Sequence, residues 1–366
     1  MKHLALVRSG VLPNPYTGDM SGADTPLTDE QRERYSRQIL FAGIGESGQR
    51  ALLAAHVAIV GCGATGAAAA SLLARAGVST LTLVDRDYVE WSNLQRQVLF
   101  EEEDAAEGLP KAEAARRRIA RFSHATQVHA HVADLVPDNI HELLQDAAIV
   151  LDATDNFETR YLLNDYAVEQ RKPWIYAGAI GASAATMNIL PGETACLACI
   201  FPQPPGGVIE TCDTAGILNA AVNLAASLQT AEAIKWIIGG TRGMRRTLLS
   251  WDLWNGERSE VTTAHPRPDC TVCGQRQFVH LTGENRPTVT LCGRNAVQIH
   301  EHRRPLDLAA LEQRLRPQGT VQRTAMLLRF ERGQHRITVF PDGRAMIQGT
   351  TDAAIARSLY ARFVGA

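Results

Sequence analysis

Between residues 57 and 66 the chain reads Val57-Ala58-Ile59-Val60-Gly61-Cys62-Gly63-Ala64-Thr65-Gly66. A β-branched run stops at a glycine and an alanine-rich stretch follows, the pattern of strand, tight turn and helix. Gly61 permits the turn, Gly63 lets the backbone approach a ligand phosphate, and Gly66 lets helix and strand pack closely. Free N–H groups at the helix start, together with its dipole, favour an anion there. A second strand, Thr80 to Val84, ends at Asp85. An acid about 20 residues past the glycines is placed to accept a hydrogen bond from a ribose hydroxyl. The combination points to a nucleotide site, where a lone glycine turn would only tighten packing. It does not separate NAD, FAD and ATP.

Further residues supply charge around that turn. Arg86-Asp87 and then Trp91-Ser92-Asn93-Leu94-Gln95-Arg96-Gln97 form a polar loop beyond the carboxyl end of a strand, where open α/β sheets hold ligands. Arg96 has the fork geometry to clamp phosphate oxygens. Pro110 opens another helix with Lys111 in its first turn, where the helix dipole disfavours a cation. A triphosphate held between Lys111 and a helix N-terminus would account for this, and a plain exposed lysine is the alternative. A third apolar strand, Ala147 to Asp152, runs into Thr154-Asp155-Asn156. Asp155 is placed to hold a magnesium ion bridging phosphates, while Asp155 and Asn156 are equally suited to cap the following helix. Arg34 and Arg37, three apart, would share one face of a helix opened by a Thr28–Gln31 capping box.

Cysteine spacing gives a second kind of chemistry. Cys196-Leu197-Ala198-Cys199 and Cys270-Thr271-Val272-Cys273 are two knuckles. Four thiolates close a tetrahedral zinc ion with no open position, which makes the site structural. A redox pair is the alternative. Cys212 lies outside both knuckles, just ahead of an apolar helix whose N-terminus would activate a thiol; a small buried residue is the alternative. Pro202, Pro204, Pro205, Gly206 and Gly207 before it suggest a mobile loop. Cys62 and Cys292 read as packing residues.

The elements that position these groups fill a chain of 366 residues with 45% hydrophobic and 21% charged content. A net charge of −2 gives no reason to expect nucleic acid or an anionic membrane as partner. Met1-Lys2-His3 starts no signal peptide. The longest apolar helix, Ala215 to Ile238, carries Asn219, Asn223, Gln229, Glu232 and Lys235, which argues against a membrane span. That helix is expected to be buried all round, partly against a second subunit. Seven cysteines, four of them in knuckles, favour a reducing cytoplasm over disulfides. Strands are expected at Pro173 to Ile180 and Arg246 to Trp254, with Gly178 and Gly181 marking close backbone approach. The reading is an α/β protein: a Rossmann-like doubly wound sheet with a four-cysteine zinc knuckle, plus a small C-terminal α+β domain. Residues 1–27 form an N-terminal arm, 28–275 the nucleotide-binding domain and 276–366 the small domain. In the last, helices Asp307 to Leu315 and Asp352 to Phe363 flank strands near Met326 to Phe330 and Arg336 to Phe340.

Taken in order, Arg34-Tyr35-Ser36-Arg37-Gln38, the glycine turn, Asp85-x-Asp87, the Ser92 to Gln97 loop, Pro110-Lys111, Thr154-Asp155-Asn156, both cysteine pairs and Thr211-Cys212 resemble the ThiF/MoeB/HesA family, the bacterial relatives of ubiquitin-activating enzymes. The resemblance covers roughly Leu27 to Cys273. It implies a cytoplasmic, homodimeric adenylyltransferase that binds ATP, Mg²⁺ and Zn²⁺ and activates the Gly-Gly tail of a ubiquitin-like sulfur-carrier protein. It further implies that Asp85 holds ribose, that Asp87, Asn93 and Asn156 line the nucleotide, and that Arg96 and Lys111 grip phosphates. Asp155 would hold Mg²⁺ and Arg37 would reach the partner subunit's ATP. Cys212 matches the family thiol, which in thiazole-type members bonds to the activated carrier. A sulfurtransferase or cysteine desulfurase is then a further partner. The C-terminal extension tilts the reading toward a ThiS-like carrier of thiamin thiazole biosynthesis, with a MoaD-like carrier of molybdenum cofactor biosynthesis as the alternative. An NAD or FAD oxidoreductase would use the same turn but leaves Arg96, Lys111 and the knuckles unexplained. A non-catalytic scaffold would not need Arg37, Arg96, Lys111 and Asp155 together.

Overall fold

Eight strands form one sheet in the order β3-β2-β1-β4-β5-β6-β7-β8. The computed structural model describes residues 25–203, 215–283, 289–292 (backbone), 296–299, 305–324 and 326–365. Among them the chain divides into two units, the larger reaching Thr282 and the smaller made mainly of the chain from Gly283, together with Glu107–Leu109. No described helix is long and apolar enough to cross a membrane.

The larger unit starts with the Thr28–Gln31 capping box. The Thr28 hydroxyl accepts from the Gln31 N–H at 3.2 Å, and Gln31 Oε1 accepts from the Thr28 N–H at 2.9 Å. Helix α1 (Asp29–Arg34) then stops, and α2 (Ser36–Ile39) starts afresh after Tyr35, so the single helix expected here is two. Tyr35 is buried at the break. Arg34 therefore does not act with Arg37. It donates to the Phe122 carbonyl at 2.7 Å, while Arg37 is exposed. Helix α3 (Gly45–Leu53) leads into β1 (His56–Val60), α4 (Ala64–Ala76) and β2 (Thr80–Val84). The helices α5 (Glu102–Glu107) and α6 (Lys111–Phe122) precede β3 (Gln127–His131). Next come α7 (Ile140–Leu144), β4 (Ile149–Asp152), α8 (Phe157–Gln170), β5 (Trp174–Ile180) and β6 (Ser183–Ile189). The unit ends with α9 (Leu197–Ile200), α10 (Asn219–Gly239), β7 (Thr247–Asp252) and β8 (Glu257–Thr262).

Strands β1 to β5 are parallel, whereas β6, β7 and β8 continue the sheet antiparallel. Strand order reverses between β1 and β4, and ligands of such sheets sit beyond the strand carboxyl ends at that point. β1 and β4 are buried apolar runs, as central parallel strands are. β3 and β8 are edges, and every side chain of β8 is exposed.

Within one chain helix α10 is not buried all round. Ala221, Ala225, Gln229, Ala233 and Trp236 are buried, but Ser227, Ala231 and Lys235, spaced by four, face solvent. Alanine commits little area to a core, so an Ala-rich helix does not need burial on every side. Two of its buried polar side chains are bonded: Gln229 Nε2 donates to two strand carbonyls, and Glu232 accepts from Asn188 at 2.7 Å. Gly181 has φ +56° with nothing near its open side, so it makes the β5–β6 turn instead of a close approach.

In the smaller unit an antiparallel sheet runs β11-β12-β13-β14-β10-β9. Its strands are β9 (Val289–Cys292), β10 (Ala296–Ile299), β11 (Thr320–Arg323), β12 (Leu328–Arg332), β13 (His335–Val339) and β14 (Ala345–Gln348). Two helices cover it, α11 (Leu308–Leu315) and α12 (Ala353–Phe363). Asp307 and Asp352 cap them, each accepting from the second and third N–H beyond it. Val297, Ile337, Val339, Ile347, Leu311, Phe330 and Phe363 form the core between. Six strands stand where two were expected.

Candidate nucleotide site and cysteine cluster

Each glycine of the turn carries a distinct constraint. Gly61 has φ +88°, a conformation side chains resist, and a Cβ there would lie 2.6 Å from the Ala153 carbonyl oxygen. The turn after β1 thus rests on the segment after β4. At Gly66 a Cβ would lie 1.9 Å from the Gly61 oxygen, so only glycine lets α4 start this close to β1. Gly63 meets only the Gln97 amide, at 3.9 Å, and the space over it is open to a ligand. Cys62 is buried in the turn, and burial pushes its thiol up, with Asp85 adding to the effect. It stays protonated and inert, a packing residue.

Asp85 clasps two loops. One carboxylate oxygen accepts from the Cys62 N–H and the other from the Asp87 N–H at 2.6 Å. Burial pushes its carboxyl up to about 6, with Lys111 opposing that rise. Lys111 heads α6 and is buried, its Nζ 3.0 Å from Asp87 Oδ2. Its backbone N–H donates to the Asp87 carbonyl at 2.9 Å, beside a β-bridge from Tyr88 to Pro110. The first turn of α6 is therefore stitched to the loop after β2. A cation at this buried, dipole-disfavoured place is held by Asp87 and is not a plain exposed lysine.

Asn93 is fully buried and accepts from the Glu90 N–H at 3.1 Å, but its Nδ2 has no protein partner. Gln97 Oε1 is likewise buried and unsatisfied. Buried orphan polar atoms are costly, and two of them on the loop facing Gly63 fit a site completed by a polar ligand. Arg96, half-buried, donates to the Ser92 carbonyl at 2.8 Å. Asp155 is exposed at the end of β4. Asn156 caps α8 by accepting from the Thr159 N–H at 2.8 Å, which favours its capping role over ligand contact. Gly61, Gly63, Gly66, Asp85, Asp87, Asn93, Lys111 and Asp155 are thus grouped at the carboxyl ends of β1, β2 and β4. Arg37 stands apart on α2. Cys212 and the segment from Pro204 lie outside the described residues.

The sulfur atoms of Cys196, Cys199, Cys270 and Cys273 all lie within 4.8 Å of one another. The separations are 3.8 Å for Cys196–Cys199, 3.6 Å for Cys196–Cys270 and 3.4 Å for Cys199–Cys273. Tetrahedral zinc with ligands at about 2.3 Å separates its sulfurs by about 3.8 Å, so the cluster fits a closed zinc site. The Asn164 amide points at Cys196 Sγ at 3.7 Å, and the Arg267 N–H donates to Cys199 Sγ at 3.4 Å. Such donors suit metal-bound thiolates.

Several residues escaped the sequence reading. Asn164 and the buried pair Asp152–Arg160 belong to these sites, and Gln97 is legible only as part of its loop. Arg160 left no clear trace, because its helix also carries Glu158, Asn164, Asp165 and Glu169.

Comparison with known proteins gives the same outline. The model of the ThiF family matches residues 35–272. The sulfur carrier protein ThiS adenylyltransferase of Bacillus subtilis is 44% identical over 337 residues, which are 91% of this chain and 99% of that protein. The adenylyltransferase and sulfurtransferase MOCS3 of Drosophila sechellia is 32% identical over 81% of this chain and 68% of that protein. The crystal structure of E. coli MccB with ATP superposes with TM-score 0.58 and 26% identity, over 68% of this chain and 77% of that one. A family match over well more than half the chain, and a relative that is similar along nearly its whole length, establish that the chain belongs to the ThiF family.

Proposed function

We propose that the protein is an adenylyltransferase of a ubiquitin-like sulfur carrier of the ThiS type. It uses ATP and Mg²⁺, releases pyrophosphate, and serves thiamin thiazole biosynthesis in the cytoplasm. The observation that carries this is end-to-end similarity to the Bacillus ThiS adenylyltransferase, covering 91% of this chain and 99% of that protein. MOCS3 leaves about a third of its own length unmatched, so a MoaD-like carrier takes second place.

In the reaction a carboxylate oxygen of the carrier's C-terminal glycine bonds to the α-phosphorus. The bond to the β-phosphate oxygen breaks and pyrophosphate leaves with the electron pair. Two anions must meet, so the chain's task is to offset charge at the phosphates. Lys111, oriented by Asp87 and fixed by its own backbone bond, presents a cation at a helix N-terminus where N–H groups also face the ligand. Arg96 adds a second cation. Asp85 and Asn93 orient the nucleoside, and Gly63 leaves room for the phosphates. Mg²⁺, when bound by Asp155, supplies further charge compensation between phosphates. Arg37 completes the site of a second copy in a homodimer. Zn²⁺ in the four-cysteine cluster is structural, because all four positions are filled by sulfur.

ATP–pyrophosphate exchange with purified protein and Mg²⁺ tests the proposal. Exchange is expected only when a ThiS-like carrier ending in Gly-Gly is added, and is lost in Asp155→Ala. Exchange with a MoaD-like carrier alone would reassign the pathway. Its absence with either, in folded zinc-loaded protein, would reject adenylation of a sulfur carrier.

A further inference from the structure

The segment after β4 is held far more tightly than an exposed loop needs. Asp152 ends the strand with its side chain fully buried. One carboxylate oxygen accepts from both the N–H and the hydroxyl of Thr154, at 2.9 and 2.7 Å. The other accepts from Arg160 Nε at 3.2 Å. Arg160 reaches up from α8, itself buried, and its Nη2 donates to the carbonyls of Thr154 at 2.6 Å and Ala177 at 3.2 Å. The guanidinium lies 4.9 Å from the Tyr176 ring centre and 5.2 Å from that of Phe157. From α10, Gln229 Nε2 donates to the carbonyls of Asp152 and Ile175, both at 2.7 Å. The N–H, carbonyl and hydroxyl of Thr154 are thus all engaged, and the next residue is Asp155.

A buried ion pair is a poor device for stability alone, since apolar residues of like volume serve as well or better. Its attested use is to fix one arrangement. We propose that Arg160, through Asp152 and the Thr154 carbonyl, is a positioning residue. It fixes the Thr154–Asp155 peptide so that the Asp155 carboxylate presents itself to the nucleotide-bound cation in one orientation. This rests on the reading of Asp155 as the cation ligand.

The test measures Mn²⁺ affinity in the presence of ATP by electron paramagnetic resonance, which needs no carrier protein. Two variants are used. Asp152→Asn with Arg160→Gln removes both buried charges together and so avoids an unpaired one. Arg160→Lys keeps the charge but loses the fork that spans Asp152 and two carbonyls. At least a tenfold loss of Mn²⁺ affinity is expected in the double variant, approaching that of Asp155→Ala, with metal-free ATP affinity changed less than twofold. A purely structural pair would lower the melting temperature and leave Mn²⁺ affinity alone. A loss below threefold in the folded double variant overturns the proposal. If that variant does not fold, Arg160→Lys decides by the same threshold. If Asp155→Ala itself leaves Mn²⁺ affinity unchanged, the cation-ligand reading fails, and the positioning role with it. Carrier-dependent exchange by the parent enzyme separately tests the adenylation reading.

Discussion

The strongest steric constraint in the site falls on Gly66, and it makes a quantitative prediction. In Gly66→Ala the new Cβ would stand 1.9 Å from the Gly61 carbonyl oxygen and 3.1 Å from Ala153 Cβ. Relief requires the first contact to open to at least 3.0 Å, a shift of 1.1 Å against backbone atoms. Helix α4 has little freedom to move, because Thr65 to Ala70 are all buried. Overpacking of this kind costs about 3 kcal/mol, at the upper end of its usual range. In a domain of this size that lowers the melting temperature by roughly 6–12 °C. Gly63→Ala is the internal control. Its Cβ meets only the Gln97 amide at 3.9 Å, and its φ is −76°. Its stability should change by no more than about 0.5 kcal/mol, yet ATP binding should weaken tenfold or more as the methyl enters the phosphate space. Thermal melting by circular dichroism and ATP titration read both effects. A Gly66→Ala protein melting within 2 °C of the parent, or a Gly63→Ala protein melting as low as Gly66→Ala, refutes the reasoning.

Other expectations follow from the two sites. Cys270→Ser should abolish stoichiometric zinc, as read by atomic absorption, and lower the melting temperature; retained zinc with an unchanged melt would count against a four-sulfur site. Asp85 titrates near 6 instead of 3.8, chiefly through burial. A raised carboxyl pKa gives stability that is fully present below pH 3.8 and lost as pH rises through 6. Carboxyl carbon NMR should show an Asp85 midpoint near 6, and a midpoint at or below 4 would contradict the buried setting. Arg37→Ala and Lys111→Ala should each be inactive in exchange. Mixing them should restore about a quarter of parent activity, because half of the dimers are hybrids with one complete site. No recovery after verified subunit exchange would exclude action in trans.

The parts of the fold that are legible in the sequence are those where local pattern and tertiary role agree. β1, α4 and β2 announce themselves through a β-branched run, three glycines and an acid. The cysteine cluster is legible because a doubled short spacing has one economical geometry. β3 and β8 are not legible. β3 alternates, Gln127-Val128-His129-Ala130-His131, but is short and buries no residue fully, and all of β8 is exposed, so neither stands out as a core strand. The break at Tyr35 escaped because its cause is burial of one ring against residues far away in the chain. The Asp152–Arg160 pair joins a strand end to a helix interior, a contact set by tertiary packing and by no short-range spacing. Lys111 was legible as an anomaly; that Asp87 holds it became visible only with the chain folded.

The cysteine cluster has a consequence for how the chain reaches its native state. Cys196 and Cys270 lie 74 residues apart, with α10, β7 and β8 between them. Closing so long a loop costs about 4 kcal/mol of chain entropy, which binding of a structural zinc ion, worth about 10–16 kcal/mol, offsets. The antiparallel end of the sheet, once formed, holds the two halves near each other and lowers that cost. Metal capture is thereby coupled to completion of this end of the sheet. Until then each Cys-x-x-Cys pair is its own nearest neighbour, and an oxidant would lock it into a short disulfide that blocks the final closure. Renaturation yield should thus depend on keeping thiols reduced during refolding, and on supplying zinc before the reductant is withdrawn.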